Sequence, residues 1–128
     1  MSIYTLLKSK PDYIGANGSD LTLINCAEKQ LGIAFTEEYK KYLQNIGLAS
    51  YDGHELTGIC SSKRLNVVDV TLDARKIHPV PSDWYVIEEA NIDDIVIWQA
   101  PNGAIYQSTP QSKPQQIANS FSDYILSF

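Results

Sequence analysis

The chain has 128 residues and a mass of 14.3 kDa, enough for one domain of ordinary size and too little for two full cores. Hydrophobic residues make up 44% and charged residues 20%, near the soluble globular averages, which excludes a disordered or fibrous chain; the apolar runs are too short for a membrane-spanning helix. Asp and Glu number 15 against 10 Lys and Arg, a net charge of −5 that disfavours direct binding of nucleic acid or an anionic membrane and suits a basic partner.

Residues 1–11 include Ile3, Leu6 and Leu7 but lack the basic start, long apolar stretch and small-residue cleavage site of a secretory signal. Cys26 and Cys60 lie far apart with no Cys-x-x-Cys pair, which suits reduced thiols. Both features point to the cytoplasm.

Leu23, Ile24, Ala27 and Leu31 keep the three-and-four spacing of an amphipathic helix that Gly32 stops. Ser19, Asp20 and Thr22 each offer an oxygen to its first N–H groups, and the sequence does not choose among them. Cys26, beside Ala27, reads as a small buried hydrophobe. A second helix follows, with Thr36 as cap, Glu37 and Glu38 at the positive end of its dipole, and Phe35, Tyr39, Tyr42, Leu43 and Ile46 as the buried stripe before Gly47.

Tyr51 to Ile59 reads as an exposed loop running into a short strand. From Asn66, the positions of Val67, Val70, Thr71, Ala74 and Ile77 predict a third helix against their β-branched propensity. Trp84 to Ile87 and Ile95 to Gln99 read as strands joined by an acidic connection that carries Glu88, Glu89, Asp93 and Asp94. Asn102-Gly103 has the form of a two-residue hairpin turn. Pro114 can open a last helix with Ile117, Phe121, Ile125 and Phe128 on its buried face.

No catalytic constellation is legible. His54 and His78 are the only histidines and read as surface or loop residues; a hydrolase built from Glu55 or Asp52 with His54 lacks an orienting residue. Cys26, Cys60, His54 and His78 lack the paired spacing of a zinc site. Gly15-Ala16-Asn17-Gly18 lacks the lysine and strand-helix context of a phosphate loop. No catalytic residue, metal or cofactor is therefore expected.

Acidic and aromatic side chains stand out instead. Tyr51, Asp52 and Glu55 share one segment, Asp69 and Asp73 lie one turn apart on the third helix, and Glu88, Glu89, Asp93 and Asp94 form the connection. With Tyr51, Trp84 and Tyr85 as exposed anchors, these are the candidate partner-binding residues. The alternative is that the acidic positions are solvated faces serving solubility.

Several landmarks in order resemble the SUKH superfamily, which includes bacterial immunity proteins and fungal regulators of cell-wall assembly. They are Pro11-Asp12-Tyr13-Ile14-Gly15, Ala27-Glu28 with Leu31-Gly32, and Glu38-Tyr39-Lys40-Lys41-Tyr42-Leu43, then Gly53 with Glu55-Leu56-Thr57-Gly58. Asn66-Val67-Val68 with Thr71 and Arg75 looks like the middle helix, Ile97-Trp98-Gln99 with Gly103-Ala104-Ile105-Tyr106 like the central hairpin, and Ser120 to Ile125 like the closing helix. Thr36 departs from the proline of many relatives, yet threonine also caps a helix.

The resemblance implies a single α+β domain over residues 1–128, a mixed or antiparallel sheet packed on several helices. It also implies a cytoplasmic immunity protein, not an enzyme, that neutralises a cognate toxin, such as a basic nuclease domain, by stoichiometric contact. A regulatory adaptor like the fungal cell-wall regulators is the second expectation. The scaffold does not name the target.

Overall fold

The computed structural model describes residues 2–90 and 92–127. Side-chain caps set where its helices begin. Ser2 accepts from the Thr5 N–H at 3.1 Å and opens α1 (Ile3–Lys8), which buries Ile3, Leu6 and Leu7. Asp20, of the three candidates, caps α2 (Leu21–Leu31) by accepting from the Leu23 N–H at 2.9 Å. Thr36 caps α3 (Glu37–Asn45) as expected, and Phe35, Tyr39, Tyr42, Leu43 and Ile46 are all buried. On α2 only Ile24, Ala27 and Leu31 face inward; Leu23 and Cys26 fall off that stripe and are exposed, against expectation.

Asp52 and Gly53 both have positive φ, 45° and 82°. That pairing turns β2 (Ala49–Tyr51) directly into β3 (His54–Glu55), so the segment expected as an exposed loop is a hairpin with a buried Tyr51. With β1 (Ile14–Gly15) it makes a small antiparallel sheet ordered β1-β2-β3. Asn66 caps α4 (Val67–Arg75), which ends before Ile77 and leaves that residue exposed. The second sheet runs in chain order through β4 (Tyr85–Glu89), β5 (Val96–Gln99), β6 (Ile105–Ser108) and β7 (Gln115–Ala118), all antiparallel. Every strand pair in both sheets is therefore antiparallel, and the mixed alternative falls away.

A bridge between Leu56 and Glu88 joins the two sheets. Thr57 reinforces it, donating its N–H to Ile87 O at 2.9 Å and its hydroxyl to Val86 O at 2.8 Å.

The β4–β5 register carries the feature that matters most. Val86 lies opposite Trp98, but Glu88 lies opposite Ile97, so Ile87 is an extra residue, a β-bulge. Before it, side chains alternate: Tyr85 enters the main core with Ile97, Ile105 and the residues of α1, α2, α3 and α5, while Val86 joins a second cluster with Val70, Ala74, Trp84, Val96 and Trp98. After it the phase flips. Glu88 faces inward and is 4% exposed, and Glu89, opposite Val96, faces the α4 side.

β7 has its own bulge, with Ile105 opposite Ala118 and Tyr106 opposite Gln116. Ile117 is the extra residue and lies exposed, and a bulged edge resists pairing with another chain. The helix expected from Pro114 therefore starts only at α5 (Phe121–Leu126), capped by Ser120; Phe128, assigned to its buried face, lies outside the described residues. The hairpin at Asn102-Gly103 forms one residue earlier than expected. Gly103 N–H donates to Ala100 O at 2.9 Å, and Gly103 alone has positive φ, 93°, the three-residue loop with a glycine bulge.

Two charged side chains tie distant elements together. Arg75 donates to the Leu31 and Trp84 carbonyls, both at 3.2 Å, which holds the end of α2 and the start of β4 against α4. The Glu38 carboxylate on α3 accepts from the Phe121 N–H at 3.1 Å, the Ser122 N–H at 3.3 Å and the Ser122 hydroxyl, satisfying the first turn of α5. Replacing Glu38 by alanine orphans those donors. In urea melts Glu38→Ala should lose roughly 2–3 kcal/mol, while the exposed Glu37→Ala stays within about 0.5 kcal/mol of the parent.

Candidate functional site: an acidic groove beside β4

A groove of about 390 Å³ lies between the C-terminal half of α4, the segment just after it, and the β4–β5 turn. The buried Val70, Ala74 and Val96 form its apolar floor. Asp73 from α4, Glu89 from β4 and Asp93 and Asp94 from the turn bring four carboxylates to its walls, and Ile77 and His78 close it. Three separate chain segments thus supply one sign of charge to one recess, where low-dielectric walls concentrate the field.

The turn that carries two of these acids is an unusual one. Ile95 N–H donates to Ile92 O at 3.0 Å, with Asp93 at φ 54° and Asp94 at φ 58° between them. Both central residues are left-handed, the geometry for which hairpins favour Asn-Gly. Aspartate tolerates this region better than most residues, but each departure costs of order 1 kcal/mol.

Burial and the nearby Asp73 carboxylate push the Glu89 carboxyl up from its ordinary value, against an opposing pull from Arg64. Of the two expectations for His78, surface or loop, the second holds: it lies in the segment after α4, but it is buried, 5% exposed. Its Nδ1 lies 2.8 Å from the Ser108 hydroxyl, which also accepts from Trp98 Nε1–H at 2.7 Å. Burial lowers the His78 pKa and Asp94 partly offsets that, so the ring is neutral at physiological pH.

The remaining candidate residues are dispersed. Asp69 sits in the first turn of α4, one turn before Asp73, and does not line the groove. Asp52 is at the β2–β3 tip, beside a different, shallow recess. Glu55 is gripped by Arg64 through two hydrogen bonds of 2.9 and 3.1 Å, and that contact lowers its pKa. His54 Nδ1 lies 2.9 Å from Glu88 Oε2, so His54 and Glu55 serve different partners.

Glu88 is no surface acid either. It accepts from the Tyr124 hydroxyl at 2.5 Å and ties β4 to α5. The expected exposed aromatics are buried. Tyr51 is 1% exposed and stacks on His54, Tyr85 donates to Gln99 Oε1 at 2.5 Å inside the core, and Trp84 stacks on Tyr106 with centroids 4.3 Å apart. Each has an apolar body that a small domain needs for its core more than for its surface.

Among the described residues, no three His, Cys, Asp or Glu side chains are placed to hold a metal ion, and no helix is long and apolar enough to cross a membrane.

No curated protein matches the chain. A family model described as SUKH_5, SMI1-KNR4 cell-wall, matches residues 3–128, and the α+β architecture agrees with the fold that the resemblance implies. The chain belongs to the SUKH family, which includes immunity proteins and SMI1/KNR4-like proteins.

Proposed function

We propose that this protein is a cytoplasmic immunity protein that holds a toxin domain inactive by stoichiometric contact, without catalysis, and that the acidic groove is the contact surface. The observation that carries this reading is the convergence of Asp73, Glu89, Asp93 and Asp94 from three segments on one apolar-floored recess. A nuclease or other toxin that acts on polyanions presents Lys and Arg at its active site, and an acidic surface can occupy the same ground. Charge of opposite sign speeds encounter and fixes orientation.

The groove is also kept at a cost to folding, which favours a role beyond solubility. Scattered carboxylates would keep the protein soluble without mutual repulsion or left-handed aspartates. Natural proteins retain such strain where function needs it. The SMI1-KNR4 side of the family supplies the second reading, a regulatory adaptor, which a housekeeping partner in place of a toxin would favour.

Two tests follow from the energetics. Because the folded pKa of Glu89 is raised, the fold favours its protonated form. That contribution is full below the ordinary carboxyl value of about 4.3 and is lost as pH rises through the folded value. Glu89→Gln should therefore melt higher than the parent at pH 7 and at the same temperature below about pH 4. Second, the double change Asp93→Asn, Asp94→Gly supplies the turn's preferred residues. It should raise the melting temperature by roughly 3–6 °C yet abolish growth rescue when co-expressed with the toxin domain encoded beside this gene. Rescue at the parental level by this variant would remove the groove from the function.

A further inference from the structure

We propose that Asn102 is a site of spontaneous covalent modification: the Gly103 backbone nitrogen displaces its side-chain amide, and isoaspartate forms at the tip of the β5–β6 hairpin. The site is independent of the acidic groove and of the immunity reading.

The chain has two Asn-Gly steps, Asn17-Gly18 and Asn102-Gly103, and both asparagines are exposed. A glycine in second place leaves its nitrogen sterically open to the side-chain carbonyl before it. The two steps are held differently. Around Asn17 the backbone is anchored to the end of α3 and the segment after it. Ala16 N–H donates to Leu48 O at 2.9 Å, Gly18 N–H to Ile46 O at 2.9 Å and Ser19 N–H to Leu43 O at 2.8 Å. Gly18 is also wedged against the helix, since a Cβ there would lie 2.0 Å from Gln44 O. Its nitrogen cannot turn toward the Asn17 side chain without disturbing that packing.

At Asn102 the bonds are local to the loop. Gly103 N–H donates to Ala100 O at 2.9 Å and Ala100 N–H to Ala104 O at 3.0 Å. A Cβ on Gly103 would meet nothing nearer than Asn119 O at 3.8 Å, so the tip can open while the strands stay paired. The Asn102 side chain is folded back over the Gly103 peptide, with Oδ1 accepting from the Ala104 N–H at 3.0 Å. That donor sits where negative charge develops when the carbonyl is attacked, and it orients the carbonyl for the attack. Among the described residues no donor holds the Asn17 carboxamide.

The Gly103 nitrogen gives up its proton and bonds to Asn102 Cγ; the Cγ–Nδ2 bond breaks, ammonia leaves and a five-membered succinimide closes. Water then adds to one of the two ring carbonyls and that carbon's bond to the ring nitrogen opens. The product is aspartate, or isoaspartate in which the chain runs through the former side chain. Water is the only co-reactant. Isoaspartate adds a backbone methylene beside the Gly103 carbonyl, which accepts from Gln99 Nε2 at 3.0 Å. Gln99 Oε1 accepts from the Thr36 and Tyr85 hydroxyls, so the change reaches the start of α3.

The test incubates the folded protein, and the same chain in concentrated urea, at mildly alkaline pH and maps both by peptide mass spectrometry. Isoaspartate is scored with an isoaspartyl methyltransferase and labelled S-adenosylmethionine. In urea the two steps should convert at similar rates. In the folded protein Asn102 should convert at least about tenfold faster than Asn17, mainly to isoaspartate, and Asn102→Ser should reduce methyl incorporation to background. The ¹⁵N spectrum of the converted protein should change at Thr36, Gln99 and Gly103 and stay parental at Gly18 and Ile46. Conversion of Asn17 as fast as Asn102 in the folded protein, no conversion of Asn102 there while the urea sample converts, or aspartate as the sole product would overturn the proposal.

Discussion

One extra residue in β4 organises this molecule. Strict alternation from Tyr85 would turn Glu88 toward α4 and Glu89 toward the main core. The bulge at Ile87 reverses both placements. Ile87 stays buried on the main-core side, and Glu88 follows it inward to Tyr124 and His54. Glu89 turns outward, where Asp73 and the Asp93-Asp94 turn meet it. A single local departure from the two-residue period thus provides a buried anchor for α5 and one wall of the acidic groove.

The buried carboxylate has a structural logic of its own. Where Leu56 bridges to Glu88, the small sheet ends and the large one begins, and at such a junction backbone and side-chain polar groups must find partners away from water. Thr57 meets this need from one side, bonded to Tyr39, Val86 and, through its carbonyl, Tyr42. Glu88 meets it from the other. The Thr36, Tyr85 and Gln99 cluster pins the start of α3 to the sheet in the same way. These networks fix which face of each strand is inside, and so hold the groove's walls in register.

Much of the fold was legible because its signals are local. Thr36, Asn66 and Gly32 mark helix ends by chemistry that needs no tertiary partner, and the stripe on α3 is strong enough to read directly. Asp52-Gly53 carries a hairpin signal as clear as Asn102-Gly103, and Asp93-Asp94 between two isoleucines carries a weaker one. The bulges at Ile87 and Ile117 leave no mark in the sequence, since a bulge depends on what the partner strand offers. The first hid the separation of Glu88 from Glu89, and the second disguised an edge strand as the first turn of a helix. The candidate acids Asp73, Glu89, Asp93 and Asp94 were visible individually; their convergence was not, because it depends on α4 lying along β4. The aromatic anchors failed for a simpler reason. In a chain of 128 residues most large rings are needed inside, and composition does not say which remain outside.

The central claim is that this protein works by presenting concentrated negative charge to a cationic protein surface. The salt dependence of its association rate with the toxin domain proposed as its partner tests that claim most directly. Steered encounter weakens as the screening length shortens, from about 30 Å at 0.01 M to about 8 Å at 0.15 M ionic strength. The account predicts an association rate that falls by about tenfold or more over that range, with little change in dissociation. A rate indifferent to salt would contradict it.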